Sequence, residues 1–296
     1  MKLIFVLFIF FSAFSLGCAF DSKYERDQKN AQEREDLLNS YNAISGVYEG
    51  TLVTSRKTTR AILTITHKEV EVGKDENGQP IPRPVLVSRL SRLDLFVVDT
   101  HMNGAYTNGT GELILTIGDA MSIRGNIRNG IYNAEVKTGG APYGQLSVAV
   151  QPGLRIPTAE EADLAMSARL RKALELLVGN YTVEIKPLST SLDKPYKSSI
   201  TMSVEQGSAS RVPLLVATYR HKNDDAHSIV RALATFSEEA DKEEVKFEAS
   251  SADGMQLNFL GYINQKTVNG SQERATVISG FLKFKAYLAE ATLIRK

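Results

Sequence analysis

The stretches "NAISGVYEGTL" (residues 42–52) and "ELLVGNYTVEI" (residues 175–185) decide the fold. Each brings an apolar approach to a Gly-x-Tyr, Gly46 with Tyr48 and Gly179 with Tyr181, and then alternates apolar and polar residues. A change from helical to twofold period at the same letters in both places marks a passage from helix into strand. Working outward, "PVLV" (84–87) answers "PLLV" (213–216), and "YNAEV" (132–136) answers "YLAEA" (287–291), in the same order. Matches kept in one order predict two copies of one domain, with Tyr48 equivalent to Tyr181 and Tyr132 to Tyr287.

The approach to the second copy carries helix signals throughout. "TAEEADLAMSARLRKALELL" (158–177) follows Pro157, opens with Thr158 and Glu161 at capping-box spacing, and sets Met166, Leu170, Ala173, Leu174 and Leu177 on one stripe. Its acidic residues come early and Arg169, Arg171 and Lys172 come late, as the helix dipole favours. Leu37, Leu38, Tyr41 and Ile44 predict the last turns of a counterpart before Gly46.

Beyond each Gly-x-Tyr the runs "RAILTIT" (60–66), "LDLFVV" (93–98), "GELILTI" (111–117), "SSITMSV" (198–204) and "EVKFEA" (244–249) read as strands. Turn letters such as "ENGQP" (76–80) and "RNG" (128–130) fall between strand runs. About eight strands per half, with no βαβ alternation, predict an all-β chain with short leading helices: two duplicated antiparallel domains closed as barrels or stacked as sandwiches. The expected boundaries are a signal peptide over 1–17, a lipid-anchored spacer over 18–36, a first β domain over 37–151, a linker and helix over 152–177, and a second β domain over 178–296. A helix, a Gly-x-aromatic and an eight-strand meander together resemble the opening of lipocalins and their calycin relatives. Tyr48 and Tyr181 stand where that family has Trp, and this chain contains no Trp.

The leader "MKLIFVLFIFFSAFSLG" (1–17) has one charge, Lys2, then an apolar stretch and small residues, the order of an export signal. A membrane span needs roughly 20 apolar residues, and the run from Asp21 to Asp36 is densely charged. That run reads as a hydrated spacer or the exposed start of a helix. Cys18 is the one cysteine in 296 residues, so a disulfide framework is excluded. "SLGC" (15–18) resembles the lipobox of bacterial lipoproteins, in which the cysteine is acylated and becomes the new N-terminus. The resemblance implies lipid attachment at Cys18 and, with the neutral Ala19 following, an outer-membrane lipoprotein of the cell envelope facing the periplasm or the surface. Cleavage after Ala19, giving a secreted or periplasmic soluble protein, is the alternative.

The chain has 35 Lys+Arg against 34 Asp+Glu, and no basic surplus for holding nucleic acid. With 43% hydrophobic and 23% charged residues it can bury a core. Its four histidines are His67, His101, His221 and His227. "HKNDDAH" (221–227) brackets Asp224 and Asp225 with His221 and His227, the candidates for metal ligation, though the same letters suit a polar hairpin tip. H-E-x-x-H, a Cys pair and G-x-S-x-G are absent from the sequence. No catalytic residue and no cofactor is therefore predicted, and Gly46, Tyr48, Gly179 and Tyr181 are read as a structural signature. The expected function is a non-catalytic binding or structural module, joined to the membrane by lipid and meeting an envelope protein. A calycin-like carrier of an apolar small molecule and a hydrolase with a loop-assembled site are the alternatives.

Overall fold

The computed structural model describes residues 25–26, 28–74, 78–93, 96–188, 194–206, 212–220, 226–228, 231–237, 242–250, 256–268, 271–284 and 287–296. A helix α1 (residues 28–44) leads into eight strands: β1 (Gly46–Thr54), β2 (Thr58–Lys74), β3 (Pro80–Arg92), β4 (Thr100–Thr107), β5 (Glu112–Ile117), β6 (Met121–Arg128), β7 (Ile131–Thr138) and β8 (Ala141–Val150). Each strand pairs with the next, and β8 returns to β1 with Leu146 opposite Leu52, closing an antiparallel barrel. The β6–β7 hairpin turns at Asn129 and Gly130, both with positive φ (53° and 75°), the mirror-image turn whose twist matches the flanking strands.

A second helix, α2 (Ala159–Glu175), begins with the predicted capping box: Glu161 N donates to Thr158 Oγ1 at 3.2 Å, and Thr158 N donates to Glu161 Oε2 at 2.8 Å. After it come β9 (Gly179–Pro187), β10 (Tyr196–Gln206), β11 (Pro213–Arg220), β12 (Ala226–Ser228), β13 (Arg231–Ser237), β14 (Lys242–Ser250), β15 (Gln256–Val268), β16 (Ser271–Phe284) and β17 (Tyr287–Arg295). Eight of them close in the order β9, β10, β11, β13, β14, β15, β16, β17 and back to β9, while the three-residue β12 lies beside β11. The chain thus forms two closed eight-stranded antiparallel barrels among its described residues.

The two barrels agree residue by residue in their pairing. Tyr48 lies opposite Leu63 in the first, and Tyr181 opposite Ile200 in the second. Gly125 of β6 faces Ala134 of β7, as Gly261 of β15 faces Gly280 of β16. Ala134 then faces Leu146, and Gly280 faces Ala291. Followed round the ring, these pairs place Tyr132 over Ile278, not over Tyr287. The match of "YNAEV" with "YLAEA" is corrected accordingly: Tyr132 stands in the seventh strand of its barrel, whereas Tyr287 opens the eighth. Both segments alternate apolar residues, and alternation alone does not distinguish one strand from its neighbour.

Most inward positions are apolar in both barrels, with Thr59 and Ser88 as buried polar exceptions in the first. Leu63, Ile65, Leu113, Leu115, Ile123 and Val136 are 0% exposed in the first, as are Val183, Ile185, Val245, Ile278, Leu282 and Leu293 in the second. Phe247 and Phe259, cross-strand neighbours in the second barrel, stack with centroids 4.6 Å apart. Eight strands leave a bore that side chains can fill. Outward positions such as Arg60, Arg124, Asn126 and Arg128 are exposed, the reverse of the apolar-out, polar-in pattern of a membrane barrel. Among the described residues no helix is long and apolar enough to cross a membrane.

The chain divides into two compact units, and they are not contiguous in sequence. One comprises the described residues up to Leu90 together with Thr100–Ile156; the other comprises Ser91–Asp99 with Pro157–Lys296. The predicted first domain therefore loses 91–99, and α2 joins the second unit instead of standing apart as a linker. The strand expected at "LDLFVV" does not form at its described end, since Phe96 has a φ of 63° and residues 97–99 are irregular. Left-handed backbone is rare for an aromatic residue. Here it goes with burial of the Phe96 ring in the core of the second unit, which overrides the local alternation.

Candidate functional site: the helix-to-strand junctions

The signature residues build the same joint twice. Ile44, at the end of α1, is followed four residues later by Tyr48, whose hydroxyl donates to the Ile44 carbonyl at 2.8 Å. Tyr181 donates in the same way to the Leu177 carbonyl at 2.7 Å. The last carbonyls of a helix have no partner within it, and the first inward side chain of the barrel supplies one. Tyr41 and Ile44 belong to the first core, as Ala173, Leu174 and Leu177 belong to the second. Each helix thus ends inside the apolar cluster of the barrel it precedes. Arg34 on α1 also forms an ion pair with Glu69 on β2.

Gly46 and Gly179 are held by different contacts. A Cβ on Gly46 would meet Val150 Cγ2 at 3.3 Å, a tight contact with one methyl. Gly179 has a φ of 150°, and a Cβ there would lie 2.9 Å from Arg295 Nε. Val150 and Arg295 occupy the same place in their barrels, opposite Tyr48 and Tyr181 respectively. The Arg295 guanidinium passes over Gly179 and donates through Nη1 to the Leu176 carbonyl, the C-cap residue of α2, at 3.3 Å.

Burial governs the ionisation of these hydroxyls. Tyr48 is pushed up from 10.0 to about 12, by burial first and by nearby Tyr106 second. Burial likewise pushes Tyr181 up, and the Arg295 guanidinium pulls it the other way. Tyr132, whose hydroxyl lies 3.0 Å from the Leu113 carbonyl and 3.3 Å from the Ile123 carbonyl, is driven up by burial as well. Protons held this tightly and committed to backbone carbonyls join strands and helices; they are not poised for transfer at neutral pH.

A second polar cluster lies within the second unit. Arg169 on α2 donates through Nη2 to Asp99 Oδ1 at 2.8 Å and to the Val97 carbonyl at 3.0 Å, and the Asp99 amide points at Met166 Sδ, 3.4 Å away. The Asp99 side chain is 4% exposed and that of Arg169 23%. Sequence reasoning counted Arg169 only as a charge near a helix end, and it missed Asp99 and Arg295. Their partners are set by tertiary closure, for which no spacing in the chain gives a signal.

The structure does not bring the remaining candidates together among the described residues. His221, Asp224 and Asp225 lie outside the described residues, as does Cys18. His227 lies in β12, its backbone opposite Tyr219. His101 is exposed on β4. His67 is half-buried on β2, its Nδ1 buried without a hydrogen-bond partner among the described residues. Among the described residues no group of three His, Cys, Asp or Glu is placed to hold a metal.

Fold and site together define a tandem β-barrel protein in which a tyrosine ties a leading helix to the first strand of each barrel. No family model matches the chain. No curated protein matches it either. Among solved structures it is similar to a DUF3598-family protein of unknown function from Nostoc punctiforme PCC 73102, with 12% identity, a TM-score of 0.24, and coverage of 87% of this chain and 98% of that one. Strand order and register carry the fold.

Proposed function

We propose that the protein is an exported, lipid-anchored module of the cell envelope that works through its outer surfaces, without catalysis, and that its two barrels are copies of one ancestral domain. The observation that favours action through the outer surfaces is the packing of the barrels. A carrier needs a cavity, and a cavity leaves accessible surface on the side chains that line it. The twelve inward apolar residues named above have none, which favours a module that binds on its exterior over a carrier of an apolar molecule. Anchoring is supported by the leader, the Gly17-Cys18 step and the charged run from Asp21. Two or more acyl chains retain a protein stably where one does so only marginally. The copy relation is supported by the shared strand order, the shared pairing register and the paired tyrosine-to-carbonyl bonds.

The test is metabolic labelling with palmitate. Label is expected in the wild type and absent from Cys18→Ser, with the wild type in the membrane fraction. An unlabelled wild type with a mature N-terminus at Phe20 would refute anchoring. Saturable binding of a fluorescent fatty acid at one site per barrel would refute the packed-module reading and favour a carrier.

A further inference from the structure

The agreement in register allows the outer faces of the two barrels to be compared position by position. In the first barrel one outward row runs through Ala105, Ile114, Arg124, Glu135, Gln145 and Val53, each opposite the next on the adjoining strand. Its centre is a charged cross-strand pair, Arg124 facing Glu135. The equivalent row of the second barrel is Leu233, Lys246, Leu260, Phe281, Glu290 and Lys186. At its centre Leu260 faces Phe281, and Leu233, Leu260 and Phe281 are 50%, 37% and 50% exposed. The same fold at the same positions thus tolerates a charged pair, so the apolar pair is not required for closing a barrel. An exposed apolar pair, one member aromatic, set among charges on an outer sheet face marks a contact surface.

The order of the row identifies the occupant. The central Leu260–Phe281 pair is flanked by Lys246 on one side and Glu290 on the other, one strand away in each direction. Strands are about 4.8 Å apart, so the cation and the anion stand at equal distances from the midline between β15 and β16. A twofold axis along that midline, in the plane of contact, turns the row onto itself in reverse. Leu260 of one copy then lies on Phe281 of the other, and Lys246 of each faces Glu290 of its partner, twice over. The four central positions, Lys246, Leu260, Phe281 and Glu290, thus complement themselves in polarity and charge, as an isologous interface requires. Two sheets packed face to face with their strands nearly aligned give the required geometry. Within one copy Lys246 lies 3.7 Å from Glu248, an exposed pair with little energy to lose.

We infer that the outer face of β14–β17 is a homodimer interface, centred on Leu260 and Phe281 and registered by Lys246 and Glu290. The expected dissociation constant is in the micromolar range of a weak, transient pair. Sedimentation of the full-length protein in density-matched detergent, from micromolar to hundred-micromolar concentration, tests this. The wild type is expected to pass from monomer to dimer, and Phe281→Lys to remain monomeric throughout. Lys246→Glu is expected to weaken association about tenfold, and adding Glu290→Lys in the same chain to restore it. All four side chains are on the surface, so an unchanged circular dichroism spectrum and melting midpoint confirm that each variant folds. A wild type that is monomeric over the whole range overturns the inference, as does a dimer that survives Phe281→Lys. A monomer that binds phosphatidylglycerol vesicles through Phe281 would give the face to lipid and overturn it equally.

Discussion

Replacing Tyr48 by phenylalanine isolates one hydroxyl, because the ring and its packing stay while the donor to the Ile44 carbonyl is lost. At pH 7 the cost is the net value of that bond plus part of the penalty for a buried unpaired carbonyl, about 1–2 kcal/mol. The cost then depends on pH in a direction that can be worked out. Burial holds the Tyr48 proton more tightly in the folded state, at about 12 against 10.0 when unfolded. The stability it contributes is complete below pH 10 and is lost as pH rises through 12. By pH 11 the wild type has lost about 1.4 kcal/mol of it, one unit of differential protonation. The substituted phenylalanine has nothing to ionise, and Tyr132 and Tyr181 titrate alike in both proteins and cancel. The penalty of Tyr48→Phe should therefore shrink to nearly zero near pH 11. Urea unfolding followed by circular dichroism at pH 7 and pH 11 measures it, with Tyr181→Phe identifying the transition of the other barrel. Equal penalties at the two pH values would refute the raised ionisation of Tyr48, and the absence of a penalty at pH 7 would refute the bond.

Gly125→Ala should abolish folding of the first barrel, since its Cβ would fall 2.0 Å from the Asn133 carbonyl oxygen and 2.5 Å from Ala134 Cα, both backbone atoms of the next strand. Gly73→Ala, with nothing within 4 Å, should leave the unfolding curve unchanged. Ser88→Ala should raise stability by about 1 kcal/mol or more, because the Ser88 hydroxyl is buried without a partner among the described residues; a fall in melting temperature would count against it. Arg169→Met should destabilise the second unit by roughly 1–3 kcal/mol in denaturant titration, since the buried Asp99 carboxylate would lose the charged hydrogen bond from Arg169. A loss below about 1 kcal/mol would show the pair to be no more than a surface salt bridge.

Local signals in this chain reported local events well. Thr158, Glu161 and the stripe from Met166 to Leu177 predicted a helix that forms with its capping box intact. The Gly-x-Tyr marked the helix-to-strand junction in both places, because a tyrosine four residues past a helix end can reach the free carbonyl there. The alternating runs at 60–66, 111–117, 198–204 and 244–249 all became strands. What the letters hid was pairing. Tyr132 and Tyr287 each lie in a run that alternates, yet one stands in the seventh strand of its barrel and the other in the eighth of its own, and only ring closure shows that Ile278 fills the place of Tyr132. Phe96 defeated the strand reading for a related reason: the core that buries it is assembled from residues far away in the chain. Asp99, Arg169 and Arg295 were beyond sequence reasoning because each charge is satisfied across a long loop.

The detour of Ser91–Asp99 into the second unit bears on how the two halves could ever be parted. Between β3 and β4 the polypeptide leaves its own barrel's contact set and contributes a phenylalanine to the other core. A gene severed at the linker near Ile156 would therefore give one fragment carrying an apolar ring meant for elsewhere and another with a gap where that ring belongs. If the barrels are copies, their ancestor stood alone without this exchange, and the borrowed ring has since made independence costly. The order of strands along the chain and the division into compact units thus differ by the nine residues Ser91–Asp99.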